Sequence, residues 1–325
     1  MSPHQAISSA GRPLSAGAIA LMLMLCLTWG INQVAMKLVL LEIPPMLQAT
    51  IRSVAALPVL FILGRLRGVK FFERDGTLAA GLFIGVLFGL EFLLVYQGLQ
   101  FTTASRGAVF FYTAPFFVAL GSSPFLGERL GGQQWLGLAL SFAGVAVAIG
   151  VPQPDVDTHM LFGDLLIVGG AAMWAATTLV AKATSLLFAP PEKVLGYQVA
   201  VSIPVMGLAA LLFGETITQP PSRLSLALMA FQAVWVAGTT FTIWVALVKT
   251  YSASKLSAFT FITPLFGVVA SYFVMHDSLS LAFGAAALLV VAGLFLVNRP
   301  SRAGSVLAAP SVQKKAPEPE SARDS

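Results

Sequence analysis

Two ionisable side chains lie deep inside long apolar runs of this 325-residue chain: Arg52 in "QATIRSVAALPVL" and Glu91 in "LFGLEFLLVY". A lone charge at such a depth in hydrocarbon costs at least about 2.5–3.5 kcal/mol, so each needs a partner or a wet cavity. Two chemistries fit. The pair can neutralise itself as an ion pair that locks two helices. Alternatively, the guanidinium can hold a ligand carboxylate while the carboxylate holds an ammonium or a proton. Trp29 and Trp174 also sit well inside apolar runs, away from the interfaces where Trp collects. They fit either core packing or an aromatic cavity lining. Tyr96, Tyr112 and Trp244 are further candidates for that lining, and Asn32 and Gln198 for hydrogen bonding along it. Each polar residue equally fits a helix–helix contact. Pro115 and Pro264 interrupt apolar runs near their middles and read as hinges or as tolerated kinks.

Motifs for other chemistry are missing. No GxxxxGK[ST] loop is present to cradle nucleotide phosphates, and no HExxH to hold zinc. His4, His159, His276 and Cys26 do not cluster, and the acidic "PDVD" at 154–157 occurs once, in a Pro-rich segment. No nucleophile elbow occurs. The expectation is a protein with no catalytic residue, no metal and no cofactor.

Positioning these residues falls to membrane helices. The chain is 57% hydrophobic and 10% charged, with mean hydropathy +0.85. A soluble domain carries about 25% charged residues, so this surface faces lipid. Runs near the length of about 20 residues that crosses a bilayer occur at 15–39, 45–64, 77–100, 103–124, 133–151, 160–186, 193–213, 224–248, 253–275 and 280–298. The N-terminus lacks a secretory n-region and cleavage site, so the first run reads as a retained span. Residues 1–14 form an N-terminal tail. Residues 299–325, rich in Ala, Pro, Ser and charge, read as a disordered tail.

Lys and Arg set the orientation. With the N-terminus inside, Arg12, Arg65, Arg67, Lys70, Arg74, Arg129, Lys182, Lys193, Lys249, Lys255 and the tail residues are cytoplasmic; only Lys37, Arg106 and Arg223 fall opposite. Both termini are then cytoplasmic. Arg52, six residues into its span, lies about 9 Å from the outer edge. Glu91, 13 residues along, reaches about 20 Å from the inner edge of a core about 30 Å thick. The two are level, and Trp29 falls at a similar depth. Lys37 and Lys182, nearer helix ends, are expected to snorkel to the headgroups. Glu128 is expected to pair or cap locally with Arg129. Gly81, Gly85 and Gly89, spaced by four, mark a close helix crossing.

The sequence also repeats. Residues 104–144 align without a gap on 253–293: Ala104, Ser105, Phe110, Pro115, Phe117, Ser122, Leu130, Leu140, Ala143 and Gly144 recur at an offset of 149. Trp29 and Lys37 match Trp174 and Lys182, and Arg52 falls opposite Gln198. Five spans per half is an odd number, so the halves are inverted in the membrane. Inverted repeats supply two conformations of similar energy around a site near the midplane.

"LTWGINQVAMK", "GLQFTTASRGAVFFYTAPFFVAL…GERLGGQQWLGLALSFAGV" and "SASKLSAFTFITPLFGVVASYF" resemble the EamA branch of the drug/metabolite transporter superfamily. The second half departs in having "HDS" where the first has "GER". The resemblance implies an all-α membrane fold of ten helices in two five-helix repeats, 15–151 and 160–298. It also implies export of amino acids or similar metabolites across the inner membrane. The expected partners are a small-molecule substrate and the lipid bilayer, with no nucleic acid, since the basic residues form no stripe. A membrane enzyme on a lipid-linked substrate and a non-transporting scaffold are the alternatives. Neither has a use for the inverted repeat.

Overall fold

The computed structural model describes residues 14–102, 104–149, 158–275 and 282–299, all helix and connections, with no strand among them. The expectations for most of the N-terminal tail, for 154–157, for His276 and for nearly all of the C-terminal tail lie outside the described residues. Among the described residues, eight helices are long and apolar enough to cross a membrane, and Gly284–Asn298 is a shorter apolar helix.

The local chemistry explains where helices begin and break. Helix α1, Ala16–Leu40, starts where Ser15 Oγ accepts from the Ala18 amide at 3.2 Å. Helix α2, Pro45–Leu66, opens on a proline, whose missing N–H is no loss in a first turn. Helix α3 is Leu78–Phe101. The run containing Pro115 is divided into α4, Ala104–Phe111, and α5, Ala114–Leu126, with the proline in the first turn of α5. Gly127 ends α5 at φ 68°, a left-handed conformation that suits glycine, and turns the chain at Glu128. Helices α6, Gly132–Ile149, α7, Thr158–Ala183, and α8, Pro191–Leu212, follow.

Helix α9, Arg223–Ala230, runs into a ten-residue π-helix, Phe231–Thr240, and continues as α10, Phe241–Thr250. The run containing Pro264 is also broken: α11, Ala253–Phe259, a 3₁₀ turn at Thr260–Ile262, then α12, Thr263–Met275. Helix α13 is Ala282–Asn298.

The most extensive packing is between the two parts of the chain. Helix α6 lies along α13, α3 along α7 and α8, α2 along α8, and α1 along α12. The glycine stripe of α3 makes one of these crossings. A Cβ on Gly81 would stand 2.4 Å from the Tyr197 ring, one on Gly85 2.5 Å from Val201, and one on Gly89 2.9 Å from Val205. The other face of α3 turns Leu82, Phe83 and Val86 outward. An outward face this apolar suits lipid and not water.

Candidate functional site

Arg52 and Glu91 are both buried, at 3% and 5% exposure, and they share a neighbourhood without consuming one another. Arg52 on α2 lays its guanidinium over the Phe92 ring of α3, 4.4 Å from the centroid, a cation–π contact. Glu91 and Tyr96 stand within electrostatic range of that charge. No direct ion pair joins Arg52 to Glu91. Arg52 Nε, Glu91 Oε2 and the Tyr96 hydroxyl are buried without a hydrogen-bond partner. Buried polar groups are nearly always paired, so three unsatisfied groups in one place make this the candidate site.

Aromatic rings lead from this cluster toward the pair of tryptophans. Phe92 meets Phe88 at 5.1 Å, Phe88 meets Phe241 at 6.2 Å, and Phe241 meets Trp29 at 5.7 Å. Trp29 stands edge-on to Trp244 at 5.7 Å, and Trp244 stacks on Trp174 at 5.4 Å. Trp29 and Trp174, matched by the sequence repeat, are thus bridged by Trp244. Trp29 Nε1 donates to Thr240 Oγ1 at 3.0 Å, at the end of the π-helix. Trp244 also lines a small cavity together with Thr177, Thr178, Ala181, Gln198, Val245 and Val248.

The remaining candidates are placed as follows. Asn32 donates to the Met36 sulfur at 3.3 Å and leaves its Oδ1 unpartnered. The Tyr112 hydroxyl accepts from Gln33 Nε2 at 3.2 Å. Pro115 and Pro264 both sit at the helix breaks described above.

Two expectations are corrected. Lys182 does not reach for headgroups, and Glu128 does not turn to Arg129. Gly127 aims Glu128 across the molecule, where its carboxylate accepts from Lys182 Nζ at 2.8 Å and Ser252 Oγ at 2.7 Å, and from the amides of Ala253 and Ser254. Lys182 also donates to the Tyr251 carbonyl. The carboxylate therefore caps α11 and neutralises a buried lysine at once, which local sequence does not signal. A second group missed from sequence is Asp164 on α7, buried, which accepts from Thr102 Oγ1 at 2.7 Å.

Other ties flank the bundle. Glu192 takes Arg67 at 2.6 Å, and Lys193 donates to Asp75 at 2.8 Å. At the opposite end Glu215 accepts from the Met46 and Leu47 amides, capping α2, and Glu42 accepts from Ser222. That bond to the Ser222 backbone amide is the main reason the Glu42 carboxyl lies below its ordinary range.

The Lys193 hydrogen bond, helped by Thr77, holds Asp75 down at about 2. Its contribution is fully present above about pH 4 and is lost as pH falls toward the lowered value. The Asp75→Asn protein is expected to melt lower at neutral pH and to lose less further stability between about pH 4 and 2. Thermal melts of the detergent-solubilised protein across that range check this; parallel acid curves for the two proteins would refute it.

A bundle of long apolar helices places the chain among multi-pass membrane proteins. The chain belongs to the EamA-like transporter family, whose sequence model matches residues 16–150 and again 161–299. The uncharacterized transporter YvbV of Bacillus subtilis is 29% identical over 293 residues, covering 87% of this chain and 92% of that one. A probable amino-acid metabolite efflux pump of Salmonella typhimurium is 28% identical over 290 residues, covering 85% and 93%. A solved crystal structure superposes with a TM-score of 0.75 at 21% identity, covering 87% of this chain and 96% of that one, a likeness of fold alone.

Proposed function

We propose that the protein is a secondary transporter of the bacterial inner membrane that exports amino acids or related small polar metabolites by alternating access. Ten spans form two inverted five-helix repeats, 15–151 and 160–298, with both termini cytoplasmic. The observation that carries the reading is the Arg52–Glu91 cluster, with opposite charges buried in one neighbourhood and left unsatisfied by each other. A zwitterion satisfies both: Arg52 takes the carboxylate, and Glu91 takes the ammonium or a coupling proton. Tyr96 and Asn32 supply further polar contacts, and Trp29, Trp174 and Trp244 with Gln198 line the way toward the other end. Tyr112 flanks that way through Gln33.

Two supports are independent of the cluster. The naming of relatives as transporters favours transport over membrane-bound catalysis. The packing between the two parts of the chain gives the halves the surfaces on which they can rock. The test is flux in proteoliposomes against a panel of amino acids. Saturable, substrate-dependent flux of at least one supports the reading, and no flux above protein-free vesicles for any of them rejects it.

A further inference from the structure

We propose that the Glu128–Lys182 pair is a latch opened by the carboxylate of the substrate, which makes Lys182 a second carboxylate site, at the end of the path away from Arg52. The proposal rests on the transporter reading above. Its geometry stands on four facts. The latch joins the two halves: Glu128 follows α5, while Lys182 is on α7 and Ser252 precedes α11. It lies beside, in chain order, the cavity that Trp244 lines: Ala181 and Val248 line that cavity, Lys182 follows Ala181, and Tyr251, whose carbonyl also binds Lys182, lies three residues past Val248. It is dry, with side-chain exposures of 7% and 4%. Finally, Lys37, the residue aligned with Lys182 by the repeat, is exposed and has no ion pair among the described residues.

Opening this end must part α5 from α7 and α11, and so must pull Glu128 off Lys182. A buried ammonium stripped of its carboxylate is disfavoured on the order of 10²–10³-fold, so this end of the empty carrier opens only rarely. A metabolite that reaches Lys182 during such an opening brings a replacement anion. The exchange of one carboxylate for another removes most of that penalty and shifts the population toward the open state. A pure structural brace has no reason to respond to a ligand. Opening coupled to a carboxylate also keeps the protein from leaking when unloaded.

The experiment uses the full chain in lipid nanodiscs, with Cys26, its one cysteine, replaced by Ser and a reporter placed at Ala181→Cys. Maleimide labelling is followed with each of the protein amino acids and with their methyl esters, which keep the ammonium and lose the carboxylate. At least one amino acid is expected to speed labelling about tenfold or more, its ester not at all, and Glu128→Gln to label fast with no addition. The double variant Glu128→Leu, Lys182→Met removes both charges, which folded proteins tolerate; it is expected to label slowly and ignore every amino acid. Equal acceleration by acid and ester, or a response retained in the double variant, overturns the latch. If flux in proteoliposomes persists in that case, the transporter reading survives. If no amino acid is transported yet Glu128→Gln alone labels fast, the latch stands and the substrate reading falls.

Discussion

Replacing Arg52 with Gln is expected to raise the half-saturation concentration for transport about 10–100-fold, and Glu91→Gln to do the same for substrates carrying an ammonium. Each loses one charge-assisted contact, worth about 1.5–3 kcal/mol, at about 1.4 kcal/mol per tenfold. The effect on folding is expected to be smaller. A buried pair that locked α2 to α3 would cost about 3–5 kcal/mol on losing either partner. Here the guanidinium rests on Phe92, and both groups already carry unpartnered atoms. A double-mutant cycle separates the two cases. Thermal stability is expected to show a coupling under about 1 kcal/mol, while flux collapses in each single variant. If purified Glu91→Gln keeps wild-type flux, affinity and pH dependence, its role in the path is wrong. Large coupled losses of stability with affinity kept would make the pair a lock.

What the sequence revealed depended on whether a signal was local. Arg52 and Glu91 stood out because ionisable residues in apolar runs are rare for an energetic reason, and counting rise per residue put them level. Counting could not give their rotation about each helix, and that rotation decides that Arg52 meets Phe92 rather than Glu91. The glycines of α3 were legible because a period of four marks one face; their partners Tyr197, Val201 and Val205 follow the same period on α8. Trp29 and Trp174 were found through the repeat, but the ring between them, Trp244, has no repeat signal to place it.

Glu128 and Lys182 were misread for the opposite reason. Their partners lie 54 and 124 residues apart in sequence, whereas Arg129 is adjacent and a lysine near a helix end ordinarily snorkels. Only the turn at Gly127 hints that Glu128 points elsewhere. The π-helix at Phe231–Thr240 left no trace either, because its composition suits an α-helix; its wide register holds Thr240 beneath Trp29.

Pro115→Ala and Pro264→Ala are expected to make the protein more stable and slower. A proline in a first turn costs its own helix little, but it bars one continuous helix across the break, where it would cost about 3 kcal/mol through the lost amide and the clash with the carbonyl four residues back. Alanine at 115 restores a donor toward Phe111, and alanine at 264 restores one toward Thr260. Those are the places where the structure breaks its helices, in the turn between α4 and α5 and in the 3₁₀ segment before α12. Side chains take up backbone carbonyls at both breaks: Thr113 Oγ1 donates to the Phe110 carbonyl at 2.6 Å beside the Thr113 amide at 3.1 Å, and Cys26 Sγ donates to the Phe259 carbonyl at 3.3 Å. Closing either break by up to about 3 kcal/mol would raise the barrier to bending by a similar amount, which is on the order of 10²-fold in rate. The double variant is expected to melt higher, insert normally and transport slowest per folded molecule. Latch and proline respond differently, since Glu128→Gln frees one end while the alanines stiffen the helices that must bend. Normal flux per folded molecule in both single variants would reduce the prolines to kinks that the surrounding helices tolerate.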